Sequence, residues 1–170
     1  CSESGREAFG ALRAGMPAAV IENGVDESRF DFAEEKLARM AQGGGGPEVR
    51  LLAVSALARM KGLHDLIDAF QRIAVKRPEA ALDIVGPDPP REAEYARELR
   101  RMAEQSPAGR RILFHGPSSA VERFHQQADL FVLPSLAEEQ SLAVIEAMLA
   151  GTPAVATRVG DCPALLGEGE

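Results

Sequence analysis

Residues 130–135, Leu-Phe-Val-Leu-Pro-Ser, lead to Glu138 and, eight positions later, to Glu146. The first four residues of this stretch are all apolar, as in a strand that is buried on both faces, and residues 140–150 follow as a predicted helix. Strands that are apolar on both faces and alternate with helices indicate a parallel sheet covered by helices. This stretch therefore predicts an α/β fold.

The same alternation of short apolar runs and helical stretches extends along most of the chain. We predict strands at 50–55, 81–86, 112–114, 130–133 and 154–157, and helices at 62–76, 91–104, 120–127 and 140–150. The predicted fold class is α/β, a Rossmann-like doubly wound parallel sheet with helices on both faces.

The first part of the chain is less regular. We predict a helix at 2–14, a strand at 18–21 that runs into the turn pair Asn23-Gly24, and a helix at 31–41 with Asp31 as its N-cap. Residues 42–47 are rich in glycine. Because no strand leads into them, we interpret them as a flexible connector and not as a phosphate-binding loop.

Composition excludes several classes of protein. A length of 170 residues suits one domain, which we place at 1–170. The net charge of −7 argues against a nucleic-acid partner. The two cysteines lie far apart in sequence and predict neither a disulfide framework nor a metal site. There is no apolar run of 18 residues, so we predict no transmembrane segment.

The residues that follow each predicted strand are the first candidates for a ligand site, because such sheets bind ligands beyond the carboxyl ends of their strands. Arg59 and Lys61 follow the first strand and precede a helix, an arrangement that suits a phosphate group or is simply solvated. Gly86 follows the second strand, and His115 and Gly116 follow the third. These loops suit a base or a ribose, and they are equally typical of ordinary tight turns.

The two glutamates of the opening stretch give a sharper signal. Glu138 lies in the loop before the predicted helix, and Glu146 lies about two turns into it, within an otherwise apolar sequence. A carboxylate in such surroundings is costly to bury unless it is paired or hydrogen-bonded. Ribose hydroxyls are suitable partners, and a backbone group or an arginine would serve equally well.

These residues resemble the signature of the GT4-type (group 1) retaining glycosyltransferases. Residues 130–135, the Glu138–Glu146 spacing and residues 146–160 are similar to the family's "PS…E-x7-E-A-M…G-x-P-V-V-A-T-x-x-G" pattern. Residues 21–30 resemble its "N-G-V-D…F" element, residues 61–70 its "K-G…L-I-x-A-F" element and residues 82–86 its "L-x-I-V-G" element. The elements follow the family's order from about residue 20 to residue 166.

The resemblance implies the C-terminal, donor-binding domain of a GT-B fold. It assigns Lys61 and Glu138 to catalysis, with Lys61 at the donor diphosphate, and Glu146 to the ribose. The other implied donor-binding residues are Arg59, Gly86, His115, Gly116, Glu139, Gln140, Ser141 and Leu142. The implied donor substrate is a nucleotide diphosphate sugar, with no cofactor and no catalytic metal.

The sequence departs from the family pattern at two places in this region. Family members often have an arginine five residues before the lysine, where this chain has Ala56, and Arg59 is the candidate to replace it. The usual "E-G-F-G" loop is Glu138-Glu139-Gln140-Ser141 here. We interpret the second change as a hint about the donor sugar.

The resemblance also predicts what the intact protein does. We expect a hexosyltransferase that acts with retention on a glycan, lipid or small-molecule acceptor. The acceptor is expected to bind to an N-terminal domain. We expect that both this domain and the family's last C-terminal elements lie outside these residues. The isolated chain is then expected to be inactive. We expect a cytoplasmic location. The alternative is the inner face of the membrane, which the intact protein would contact through its N-terminal half.

Two alternatives remain open from the sequence. One is a different GT-B enzyme, such as a nucleotide-sugar epimerase or a protein like sucrose or glycogen synthase. The other is a non-catalytic domain that keeps the fold as a scaffold or a binding module, to which Ala56 gives some weight.

Overall fold

A computed structural model describes residues 19, 21–41 and 48–167. Its strands form a single parallel sheet in the order β3-β2-β1-β4-β5. The strands are β1 (Val49–Val54), β2 (Ala80–Val85), β3 (Ile112–Gly116), β4 (Leu130–Leu133) and β5 (Ala154–Ala156). Among the residues described, no helix has the length and hydropathy that crossing a membrane requires.

Helices connect these strands and precede the first of them. They are α1 (Ala33–Ala41), α2 (Leu63–Lys76), α3 (Ala93–Gln105), α4 (Glu122–Gln127), α5 (Leu142–Leu149) and α6 (Cys162–Leu166). Short 3-10 turns at Glu27–Phe30, Arg59–Lys61, Pro90–Glu92 and Gly109–Arg111 complete the regular structure of the described ranges.

The central strand β1 alternates its side chains between two cores. Leu51 and Ala53 belong to a cluster that includes residues of α2 and α3, whereas Leu52 belongs to a second cluster that includes residues of α4, α5 and α6. Every residue of β2 is buried. Side chains that are apolar on both faces of a strand require a cover on both faces, and the helices provide it. The predicted doubly wound α/β fold is therefore confirmed.

The order of the strands defines where a ligand site is expected. The chain moves outward from β1 through β2 to β3, then crosses back to β4 on the other side of β1. Leu51 of β1 lies opposite Leu82 of β2 and opposite Leu130 of β4. The connections after β1 and β4 therefore leave in opposite directions, and the crevice between them is the topological switch point where sheets of this kind bind ligands.

The N-terminal predictions fit less well. The helix predicted at 31–41 begins at Ala33, and Asp31 ends the preceding 3-10 turn, so it is not the N-cap of α1. Ala19 and Ile21 lie outside any strand, so the strand predicted at 18–21 is wrong for these residues. Ile21 is 80% exposed and lacks the burial on which that prediction rested. The predicted helix at 2–14 and the connector at 42–47 lie outside the described residues.

Candidate functional site

Lys61 and Glu138 meet at the switch point. Lys61 ends the 3-10 turn that follows β1, and Glu138 lies in the loop after β4. The Lys61 Nζ atom is 2.6 Å from Glu138 Oε1, and the Ser135 hydroxyl donates to the same oxygen at 2.7 Å. The two charged side chains are 29% and 12% exposed, so they are held between the loops but remain reachable from the crevice.

The backbone around this pair is held by a close approach that only glycine allows. Gly62 has a φ of 62°, and a Cβ atom on it would lie 2.0 Å from the carbonyl oxygen of Pro134. The Leu136 N–H donates to the Met60 carbonyl at 2.8 Å. Both contacts join the loop after β1 to the loop after β4. The position of Lys61 relative to Glu138 is therefore set by the backbone on both sides.

The segment after β5 supports the Glu138 loop from a third strand. The Thr157 hydroxyl donates to the Ser135 carbonyl, and the Asp161 N–H donates to the Glu139 carbonyl at 2.9 Å. Gly160 has a φ of 52°, and a Cβ atom there would lie 2.5 Å from the Glu138 carbonyl oxygen. Gly160, the glycine that ends the family pattern, thus has a packing role, because its close approach holds the Glu138 loop in place.

The loop ends at the start of α5. Ser141 is the N-cap of this helix, and its hydroxyl oxygen accepts from the Val144 N–H at 3.4 Å. The first N–H groups of a helix carry partial positive charge and suit an anionic group. Leu142 is exposed at the first helical position, and Glu139 is exposed in the loop. The side-chain oxygen of Gln140 accepts from the Asn23 N–H at 2.6 Å.

Glu146 is a half-buried carboxylate on α5. Burial raises its pKa above the usual value, nearby Arg29 opposes this effect, and the negative charge of Glu122 adds to it. Within the described part of the chain, no hydrogen bond to its carboxylate is found. A carboxylate that is desolvated without a protein partner is a candidate ligand-binding group.

Arg59 points to different partners from those of Lys61. Its guanidinium pairs with Glu98 at 3.2 Å and lies over the ring of Tyr95, 4.7 Å from the ring centroid. Both partners belong to α3, whereas the partner of Lys61 follows β4. In this structure the Arg59 guanidinium therefore lies against α3, and its role at the donor phosphates stays a prediction.

Gly86, directly after β2, and Gly116, the last residue of β3, differ in their surroundings. Gly86 has a φ of 155°, and a Cβ atom there would lie 1.9 Å from the Ser55 carbonyl oxygen, so this glycine is required for packing between two loops. Gly116 has a φ of 71° and open space where a Cβ atom would lie, so a flat ligand has room beside it.

His115 lies within β3 and not in the loop where the sequence placed it. Its Nε2 atom is 2.6 Å from Asp83 Oδ1, and Arg50 pairs with the other carboxylate oxygen at 2.8 Å. The ring also contacts Phe124, with the centroids 4.8 Å apart. Sequence reasoning missed Asp83 and Arg50, although a single carboxylate in an otherwise apolar strand was a signal that could have found them.

Arg29 and Asn23 are further residues near the site that were not predicted. Arg29 pairs with Glu122 and acts on the charge of Glu146, and Asn23 contacts Gln140. Asn23 belongs to the N-G-V-D element, but that pattern does not indicate a contact with Gln140. The partners of Asn23 and Arg29 lie more than 90 positions away in sequence. Among the described residues, no cluster of His, Cys, Asp or Glu side chains could hold a metal ion.

Comparison with known proteins agrees with this geometry. The family model described as "Glycosyl transferases group 1" matches residues 48–170, which is more than half of the chain. The GDP-mannose-dependent alpha-(1-6)-phosphatidylinositol monomannoside mannosyltransferase of Mycolicibacterium smegmatis is 30% identical over 167 residues, which cover 91% of this chain and 42% of that protein. The glycogen synthase of Mycobacterium tuberculosis strain H37Rv is 33% identical over 143 residues, covering 83% and 32%.

A solved structure shows the same architecture. The crystal structure of Anabaena HepE in complex with UDP and glucose superposes with a TM-score of 0.77 and 27% identity, covering 94% of this chain and 43% of that one. The chain spans about one third to two fifths of the length of the curated relatives it matches. The matched family, the strand order and these relatives agree: the chain belongs to the group 1 glycosyltransferases of GT4 type and has the fold of their C-terminal, Rossmann-like domain.

Proposed function

We propose that this chain binds the nucleotide diphosphate sugar donor of a retaining hexosyltransferase. The observation that carries the proposal is the Lys61–Glu138 pair, 2.6 Å apart at the switch point of the sheet. The pair consists of one partly exposed cation and one carboxylate where two loops meet, beside the start of α5. A diphosphate needs positive charge and free N–H groups, and the sugar attached to it needs acceptors for its hydroxyls.

In this proposal Lys61 is the group that stabilises the departing diphosphate. The lysine ammonium is partly exposed, so it can contact a phosphate oxygen without losing Glu138. As the bond between the sugar and the phosphate breaks, negative charge grows on the phosphate oxygens. A cation already held at that point stabilises the transition state more than the ground state. Glu138 then both orients Lys61 and lies beside the sugar.

Glu146 is proposed to hold the ribose of the donor. Its carboxylate is desolvated on the helix that begins at the site, and its pKa is raised by burial. Two vicinal hydroxyls can each donate to a carboxylate oxygen, which restores the hydrogen bonds that burial removes. Gly116, with open space beside it, and His115 are proposed to line the base, and the loop from Glu139 to Leu142 is proposed to line the sugar and the diphosphate.

Transfer of the sugar is proposed for the intact protein. The curated relatives are more than twice as long as the matched part, so we propose that a further domain binds a glycan, lipid or small-molecule acceptor. The chain alone then binds the donor without transferring sugar. We propose that the transfer retains the anomeric configuration, and that the donor is a substrate used without a separate cofactor.

A second candidate is a synthase that extends a glucan or forms a sugar phosphate. It is favoured by 33% identity to glycogen synthase and by the TM-score of 0.73 with a sucrose-phosphate synthase of Thermosynechococcus elongatus. Both candidates use the same donor site. They are distinguished by the acceptor, so incubation of the intact protein with a nucleotide sugar and either a glucan or a lipid acceptor separates them.

The proposal is tested by calorimetric titration of the chain with UDP, GDP and ADP and with their sugar conjugates. We expect one nucleotide to bind saturably and Lys61→Ala and Glu146→Ala to weaken its affinity about 10- to 100-fold, as the loss of a charge-assisted hydrogen bond requires. The matched controls Lys76→Ala and Glu104→Ala change exposed residues at the ends of α2 and α3, away from the crevice, and should leave the affinity unchanged. If no nucleotide binds a folded chain, the proposal is wrong.

The assignment of Glu146 to the ribose has its own test. The nucleotide that binds is compared with its 2′-deoxy form, on the wild type and on Glu146→Ala. We expect the wild type to bind the deoxy form about tenfold more weakly than the nucleotide itself. Glu146→Ala should bind the two forms with equal affinity, because the variant no longer has the group that the hydroxyl contacts. An equal penalty in both proteins would exclude contact between Glu146 and that hydroxyl.

A further inference from the structure

Residues 21–30, here called the bridging segment, contact the loop between β4 and α5. The Asn23 N–H donates to the side-chain oxygen of Gln140 at 2.6 Å, across 117 positions of sequence. Gln140 directly precedes Ser141, the N-cap of α5. One end of the bridging segment is therefore attached to the loop that is proposed to hold the donor.

The other end of the bridging segment is attached to α4. Arg29 donates to the Glu122 carboxylate at 2.5 Å and to the Ser119 carbonyl at 3.0 Å. The next residue, Phe30, is buried, and its ring centroid lies 6.2 Å from that of His125 of α4. An ion pair and a buried aromatic ring thus fix this end, whereas the hydrogen bond between Asn23 and Gln140 at the other end is exposed.

Glu146 lies within the influence of both residues that join the bridging segment to α4. Arg29 favours its ionised form, and Glu122 disfavours it. The position of the bridging segment therefore affects the charge on the carboxylate that is proposed to hold the ribose. Gln140 at one end and Arg29 at the other place the segment beside two parts of the same site.

We propose that Gln140 is a positioning residue, and that the docking of residues 21–30 is coupled to donor binding through its hydrogen bond with Asn23. This inference rests on the proposed function of the site. Gln140 stands where the family pattern has an aromatic residue, so the side-chain amide adds a hydrogen bond that such a residue cannot make. A donor that orders the loop also orders Gln140, and by reciprocity a docked segment favours the loop conformation that binds the donor.

Hydrogen exchange of the Asn23 amide measures the contact directly, in the free chain. We expect Gln140→Leu to accelerate the exchange of this amide about fivefold, which corresponds to a hydrogen bond worth about 1 kcal/mol. Gln140→Glu keeps an acceptor oxygen and should keep the wild-type rate. The control Gln105→Leu, an exposed glutamine at the end of α3, should have no effect. If Gln140→Leu leaves the Asn23 rate unchanged, the contact does not operate and the inference is overturned.

Coupling is then measured with the nucleotide that binds. In the wild type we expect a saturating donor to slow exchange of the Asn23 amide further. We expect Gln140→Leu to abolish that response and to weaken donor affinity about fivefold, at the lower end of the usual range of coupling energies. A donor that binds without any response at Asn23, with equal affinity for both proteins, would overturn the coupling alone. If no nucleotide binds while the Asn23 amide remains protected by Gln140, the proposed function fails and the coupling with it.

Discussion

Lys36 and Glu146 are two charged residues whose hydrogen bonding within the protein differs. Lys36 lies on α1 and is 2% exposed, and its Nζ atom donates to the Thr152 hydroxyl and to the His125 carbonyl, each at 2.5 Å. Glu146 lies half-buried on α5, and no hydrogen bond to its carboxylate is found in the described part of the chain. The more deeply buried charge is thus the one with protein partners.

This difference separates a charge that serves the fold from one that serves a ligand. Desolvating a charge is costly, and hydrogen bonds within the protein offset that cost for Lys36. For Glu146 the cost remains in the free protein, and a ligand that donates hydrogen bonds would offset it. The contacts of Lys36 join α1 to His125 of α4 and to Thr152 in the loop after α5, so they hold together the elements around the site.

The largest expected effect concerns His125, whose carbonyl accepts from Lys36. Its ring is fully buried, and neither ring nitrogen has a partner among the described residues. Burial, and then the charge of Lys36, lower its pKa from 6.5 to about 4. A lowered histidine pKa means that the unfolded chain takes up the proton first. The free energy of unfolding should therefore fall by about 3 kcal/mol as the pH drops from 6.5 to 4.

Urea unfolding at a series of pH values measures this contribution. His125→Phe keeps a ring between Phe30 and Phe131 but cannot be protonated, so the difference between the variant and the wild type should grow as the pH falls. His64→Phe is a control at a partly exposed histidine. Parallel pH profiles for wild type and His125→Phe would contradict the burial of a neutral ring.

The next effect is on stability through Lys36. Lys36→Met keeps the length of the side chain but removes the ammonium that donates to the Thr152 hydroxyl and to the His125 carbonyl. The carbonyl then keeps the longer hydrogen bond from the Thr152 hydroxyl, at 3.4 Å. We expect the free energy of unfolding to fall by about 2 kcal/mol, with nucleotide affinity changed less than about twofold. Urea unfolding and calorimetry check the two quantities, with Lys76→Met on the surface as the control. Unchanged stability with a loss of affinity would reverse the roles that the comparison assigns.

The sequence predicted the sheet well because its information is local. Apolar runs such as 81–86 and 130–133 can be read one segment at a time, and their strands and helices appear within a few residues of the predicted bounds. Lys61 and Glu138 were likewise each predicted to follow a strand, and the structure brings the two side chains together. Their roles in binding a donor stay predictions.

What the sequence could not supply are the partners that come from distant segments. The role of Arg59 as a phosphate ligand stays a prediction, but nothing in the sequence indicated that its guanidinium contacts Glu98 and Tyr95 of α3. His115 was predicted to lie in a loop, but β3 is two residues longer than predicted, so His115 belongs to the strand and its ring contacts Asp83. Both outcomes depend on which side chains the fold brings alongside, and neither propensity nor periodicity contains that information.

A smaller effect is expected when the unsatisfied carboxylate is neutralised. Glu146→Gln keeps the shape of the side chain but replaces one acceptor oxygen and the charge, so we expect nucleotide affinity to fall about tenfold. Stability should stay the same or rise slightly, because a desolvated charge is removed. Glu104→Gln on α3 is the exposed control. If Glu146→Gln lost stability and kept its affinity, Glu146 would belong with Lys36 as a residue of the fold.

The smallest effect is the pH dependence that Glu146 itself contributes. Its pKa is raised by burial, so the folded chain takes up the proton before the unfolded chain does. The wild type should therefore gain stability relative to Glu146→Gln as the pH falls from neutrality through the raised pKa, by less than about 1 kcal/mol because the group is half exposed.

Nucleotide affinity should fall over the same interval, because a protonated carboxyl accepts hydrogen bonds poorly. Opposite trends in the two measurements, both absent in Glu146→Gln, are what a ligand-binding carboxylate requires. Parallel trends would mean that the charge supports the fold.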